Sequence, residues 1–268
     1  MLESLLDLRD INRKPYLMLF WSFIMSSIAV LIATQVSYRV VISGQVFDLT
    51  GIFAVLFTII PSVYFITHLI KKEEFLEEKY IKEHKESLFW ERHGKDITIL
   101  MFYFLGVTLS FALFAFMLPE NAFQTQVAKI NQIRGVSGAA TEAVRFASFN
   151  EILSNNLQVM VFSFLFSFIF GAGAVFIIAW NASILGVFVG RLSKHILEIP
   201  FVTLRFLPHG IPEIAGYLCA GLAGGLLSAA VLRKSDAKVL KTIAFDSLKI
   251  LFLGVVLLVV AAGIEVYL

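Results

Sequence analysis

Long, largely apolar runs recur along this chain, and nothing else constrains its fold as strongly. A run of about 18 or more residues, at roughly 1.5 Å each, reaches most of the way across a hydrocarbon core about 30 Å thick. No water is available inside that core to satisfy backbone N–H and C=O groups. A spanning segment must therefore be helical or belong to a closed barrel. The short alternating strands of a membrane barrel are absent from the sequence. With 58% hydrophobic residues and 27 phenylalanines among 268, the apolar share is far above that of a soluble domain. The chain reads as an all-α polytopic membrane protein, a bundle of about six to seven transmembrane helices. Spans are expected at 16–34, 51–70, 97–118, 157–180, 214–232 and 243–266.

One stretch does not fit a plain spanning helix. Residues 181–225 lie between two apolar runs, yet hold Arg191, Lys194, His195, Glu198, Arg205, His209 and Glu213, with prolines at 200, 208 and 212. The apolar residues between these groups are too many for a free loop in water. A broken or re-entrant membrane segment around 181–213, its non-helical backbone sheltered by neighbouring helices, accounts for both features.

The remaining chain supplies three regions. Residues 1–118 form an N-terminal transmembrane region of three spans. It begins with a short polar segment containing Arg9, Arg13 and Lys14, and Pro15 suits the first turn of a helix. No A-x-A-like cleavage site follows the first apolar run, so that run is expected to stay as a membrane helix. Residues 71–96 carry seven Lys/Arg and eight Asp/Glu in short alternating blocks. They read as helical extensions in water, with Glu78 and Lys82 in the favourable four-residue order. Residues 119–156 form an external helical connection in which Phe123, Val127, Ile130 and Ile133 recur at helical spacing. It is either a membrane-surface helix pair packed over the bundle or a docking platform for a partner. Residues 157–268 form the C-terminal transmembrane region. Gly171 to Ala174 are small enough for close helix packing within the fourth span, and Gly221 and Gly225 have GxxxG spacing.

Charge gives an orientation. Short cytoplasmic loops carry the excess of Lys and Arg. With the N-terminus inside, 71–96 is inside and 119–156 outside. The basic residues Arg233, Lys234, Lys238 and Lys241 then fall inside only if 183–207 travels back across or into the membrane. The C-terminus is expected outside, in a multi-pass protein of the cell membrane. The net charge of +2 gives no ground for a nucleic-acid partner, and the single cysteine, Cys219, excludes an intramolecular disulfide.

The candidate functional residues are few. His209 and Glu213, four apart around Gly210, would share one face of a helix beginning near Pro208. Such a pair suits a metal, a proton relay or a structural clasp in which each group satisfies the other at a helix break. No Cys or second close His completes a zinc ligand set, and the spacing is not that of H-E-x-x-H proteases. His195 and Glu198 suit solvated or capping roles. Asn155 and Asn156 precede the expected fourth span, where asparagine caps helices well. Asn181 lies just past Trp180, at an expected stop or bend. Glu265 sits near the end of the last span. No GxSxG nucleophile setting, P-loop or glycine-rich phosphate cradle is present, so no catalytic residue, metal or cofactor is expected.

Four blocks carry a resemblance: FNEILSNNLQV, FGAGAVFIIAWNASILGVFVG, FLPHGIPEIAGYLCAGLAGG and the final AAGIEVYL. In order and spacing they resemble the stage II sporulation protein M family of integral membrane proteins, including its uncharacterised archaeal-type members. The likeness covers about 149–268, and Glu265 resembles the family's terminal acidic position. In sporulating bacteria the family member acts as a membrane scaffold for two cell-wall hydrolases during engulfment. The resemblance implies a family fold rather than that role. Two functions stand open. One is a non-catalytic scaffold or permease-like subunit acting with other membrane proteins or as a homo-oligomer in the lipid bilayer. The other is a transporter or channel with a site near His209 and Glu213.

Overall fold

The computed structural model describes residue 11 and residues 14–36, 38–42, 45–82, 89–134, 142–170, 173–233 and 235–267. The described helices are α1 (Leu17–Val36), α2 (Thr50–Lys82), α3 (Phe89–Met117), α4 (Gln124–Arg134), α5 (Glu142–Phe170), α6 (Ala174–Leu192), α7 (Ile199–Leu232) and α8 (Ala237–Tyr267). Among the described residues, six stretches are long and apolar enough to cross a membrane: Leu17–Val36, Ile97–Met117, Ser148–Phe170, Val175–Leu192, Ile196–Leu232 and Ala237–Tyr267. The shorter Thr50–Ile66 is a seventh apolar helix. The protein is an all-α polytopic membrane protein.

Between α1 and α2 the polar connection forms a small antiparallel hairpin, β1 (Arg39–Ile42) on β2 (Gln45–Asp48), with Arg39 opposite Asp48. Asp48 closes it and starts α2. Its Oδ1 accepts the Thr50 N–H at 2.9 Å, the usual service of an aspartate to an unsatisfied helix-start donor. The charged region is helical up to Lys82 and again from Phe89, as its pairing pattern predicts. Residues 83–88 and 135–141 lie outside the described residues.

The chain gathers into two compact units. The first combines Met1–Pro61, Ile99–Ala140 and Ala179–Leu207. Here α3 supplies close contacts on two sides. A Cβ on Gly106 would strike the Leu19 carbonyl and the Ser22 hydroxyl of α1, and one on Gly186 of α6 would strike the Thr108 carbonyl. Small residues let these backbones approach, which is how helices associate where lipid is as apolar as leucine. Ser27 and Ser110 add a hydroxyl pair at 3.0 Å between α1 and α3. Ala112, Val189 and Ile199 form a buried apolar cluster, flanked by the edge-on Phe188–Phe206 pair at 5.0 Å.

The second unit combines Ser62–Thr98, Thr141–Ile178 and Pro208–Leu268. Its core is the middle of α7, where every residue from Gly216 to Leu226 is buried. A helix apolar on all sides belongs at the centre of a bundle, and α5 and α8 flank this one. Gly216 of α7 faces the Gly254 carbonyl and Leu258 of α8, while Gly224 faces the Phe164 carbonyl and Ser167 of α5. Outward, Phe162, Ile169 and Phe170 of α5 and Phe245, Leu248 and Phe252 of α8 are exposed. Apolar side chains in such continuous stripes suit hydrocarbon rather than water.

Two boundaries differ from the sequence-based expectation. The fourth span does not run from 157 to 180. One helix ends at Phe170 and the next begins at Ala174. Gly173 explains the difference. The chain folds back so tightly that a Cβ there would strike the Phe166 carbonyl, and Phe166 stacks on Phe176 across the turn at 6.2 Å. The glycine here makes a turn, not a packing groove inside a span.

The interruption expected around 181–213 is present, but it is compact. It consists of Ser193 to His195 and a 3-10 turn, Ile196–Glu198. Glu198 accepts the Lys194 N–H at 2.7 Å, and Pro200 fits the first turn of α7 because its missing N–H has no partner there anyway. From Ile199 the helix continues for 34 residues through Pro208 and Pro212, so it does not begin near Pro208. Prolines inside membrane helices are tolerated because local adjustments re-satisfy the freed carbonyls.

Candidate functional site

Continuity of α7 sets the geometry of the site. His209, Glu213 and Tyr217 follow at four-residue steps and share one helix face. The sequence paired Glu213 with His209. In the structure Tyr217 Oη lies 2.8 Å from Glu213 Oε1. The same hydroxyl lies 2.9 Å from Asn156 Oδ1 on α5. Tyr217 is therefore the hinge pin of the site, 1% exposed. Sequence reasoning passed over it, although its position one turn beyond Glu213 was a readable signal.

Asn155 and Asn156 do not cap a helix. They lie inside α5, because that helix begins at Glu142 rather than at 157. Asn156 is 4% exposed, and its Oδ1 also faces Asn155 Nδ2 at 3.4 Å. Its Nδ2 has no hydrogen-bond partner among the described residues. A second bond ties the same two helices: Ser163 Oγ donates to the Tyr217 carbonyl at 2.9 Å. On the other side, Ser247 of α8 donates to the Ala223 carbonyl at 3.2 Å. From α8, Glu265 lies within electrostatic reach of both Glu213 and Tyr217.

Asn181 is in the middle of α6 and marks no stop. His209 is half-buried on α7. Gly210 has nothing within 4 Å of the position a Cβ would take, so no close approach requires glycine there. His195 is exposed. Among the described residues, no group of three or more His, Cys, Asp or Glu is gathered as a metal site would need.

The first unit holds a polar junction that the sequence did not announce. Gln126 of α4 is fully buried, and its Nε2 donates to the Gly51 carbonyl at 3.1 Å and to Ser183 Oγ at 3.3 Å. The amide thus joins α4 to the starts of α2 and the middle of α6. Gly51 leaves room for the Gln126 amide, whose Oε1 lies where a Cβ would stand. Gln124 assists by accepting the Asp48 N–H at 3.0 Å. So α4 plugs into the first unit rather than lying over it as a plain surface helix.

Apolar helices of spanning length, close glycine contacts and sparse buried polar networks define a multi-pass helical membrane protein. The chain belongs to the stage II sporulation protein M family, whose pattern it matches over residues 46–268. That match reaches back through α2 and α3, well before the blocks that carry the sequence resemblance. An uncharacterised protein of Methanocaldococcus jannaschii is 32% identical over 124 residues, covering 45% of this chain and 70% of that protein. No solved structure matches the chain.

Proposed function

We propose that the protein is a non-catalytic membrane subunit, a scaffold or permease-like component that works with other membrane proteins or with copies of itself. Its polar network acts as a clasp, in which Tyr217 locks α7 to α5. The observation carrying this reading is the bonding of helix to helix by the network. Tyr217 bonds both Glu213 and Asn156, and the serines at 163 and 247 tie the same core to neighbouring carbonyls. Groups so engaged hold helices in place. The cell membrane is its proposed location, with the N-terminus inside and the C-terminus outside. With the observed helix ends, seven crossings keep 71–96 and the basic 233–242 turn inside, while Arg191 and Lys194 move to the outer side.

The clasp predicts no specific flux through vesicles reconstituted with purified wild-type protein at any pH, and a lower melting temperature for Tyr217→Phe. The second reading, a transporter or channel, draws on the unpartnered Asn156 Nδ2 and the nearby Glu265. Specific flux lost in Glu213→Gln at an unchanged melting temperature would decide for it. Orientation has its own check. In a Cys219→Ser background, Ser235→Cys should resist a membrane-impermeant maleimide added outside intact cells and react once they are permeabilised. Labelling of intact cells would reverse the orientation.

A further inference from the structure

Two oxygen–oxygen contacts meet at Tyr217 Oη, 2.9 Å to Asn156 Oδ1 and 2.8 Å to Glu213 Oε1. Both distances are those of full O–H···O bonds, and each bond needs a proton on its line. A phenol carries one. Asn156 supplies none through Oδ1. Reversing the Asn156 amide alone would set two N–H donors against each other, because Asn155 Nδ2 faces that oxygen at 3.4 Å. With both amides oriented as they stand, the source of the second proton is the Glu213 carboxyl. Its surroundings agree. The bond recorded for Glu213 is to Tyr217. The charged group reaching it from α8 is a second acid, Glu265. Along α7 its neighbours at helical spacing are His209 and Tyr217, and α5 presents the neutral Asn156. An ionised carboxylate in apolar surroundings is costly unless a cation pairs with it.

We propose that Glu213 is a proton-binding site: its carboxyl donates to Tyr217 Oη, and Tyr217 in turn donates its own proton to Asn156 Oδ1. No covalent bond forms or breaks beyond the exchange of that one acidic proton with solvent. When Glu213 releases it, the carboxylate claims the Tyr217 hydrogen, and the Tyr217–Asn156 contact is left with two acceptors facing each other. The proton on Glu213 is thus what fastens α7 to α5 at this point. This inference rests on the clasp reading and adds its chemical condition.

Infrared difference spectroscopy on the purified protein in mild detergent tests it. At neutral pH a neutral carboxylic C=O band should be present, lost in Glu213→Gln, retained in Glu265→Gln and shifted in frequency in Tyr217→Phe, which removes its acceptor. Should Glu213→Gln fail to fold, the Tyr217→Phe shift and the titration of the wild-type band still decide. A wild-type spectrum with no neutral-carboxyl band at neutral pH overturns the proposal. So does a band unmoved in Tyr217→Phe. If Tyr217→Phe melts earlier while that band is missing, the clasp stands and the proton does not.

Discussion

The two units solve one problem with different chemistry. Each must fix helices where hydrophobic segregation between protein and lipid gives little preference for one packing over another. The first unit uses a neutral amide: Gln126 bonds Gly51 and Ser183 from a fully buried position. The second uses a phenol between an amide and a carboxyl, with another acid in reach. A neutral amide holds its bonds at any pH. An ionisable group does so only in one protonation state, and it is the more expensive choice inside a membrane. The contrast assigns a fixed joint to the first unit and a conditional one to the second.

The largest effects should come from the backbone contacts. Gly186→Leu would push a side chain into the Thr108 carbonyl and against Phe111 Cβ, and should cost about 3 kcal/mol of stability in detergent unfolding, the upper part of the overpacking range. An unchanged unfolding curve would remove the α3–α6 contact from the first unit. Next, Gln126→Ala leaves the Gly51 carbonyl and Ser183 short of a donor, and should cost about 1–3 kcal/mol. That loss should be the same at acid and neutral pH, since no titrating group is involved. A pH-dependent loss would erase the contrast between the units. The smallest effect belongs to Gly210→Ala. With nothing within 4 Å of the added carbon and a helical backbone, it should be neutral or stabilising by up to about 1 kcal/mol. A clear loss would show that Gly210 has a function the packing does not reveal.

Much of the fold is legible in the sequence because membrane insertion leaves few options. Apolar runs of spanning length must become helices, and six of them do. The turns are harder to read because glycine and proline each have two meanings in lipid. Gly173 reads as a packing residue and is a turn. Pro208 and Pro212 read as a break, and the helix passes through both. That single exchange moved the ends of α5, α6 and α7. It turned Asn156 from a helix cap into a buried partner of Tyr217, and Asn181 from a stop into a mid-helix residue. The hairpin at Arg39–Asp48 carried no strong strand pattern, and its anchoring through Gln124 and Asp48 depends on residues 76 apart. Glu213 was legible as an ionisable group at membrane depth. Its partner was not, because helical spacing offered both His209 and Tyr217, and only packing against α5 chooses between them.

The account turns on Tyr217 and Asn156 acting as one joint between α5 and α7, and a double-mutant cycle addresses that directly. Unfolding free energies would be measured at neutral pH for wild type, Asn156→Ala, Tyr217→Phe and the double variant. A joint predicts that the two losses overlap, with a coupling of about 0.6 kcal/mol and at most about 1.7 kcal/mol, the mean and maximum for hydrogen bonds between membrane helices. Losses that simply add would contradict it.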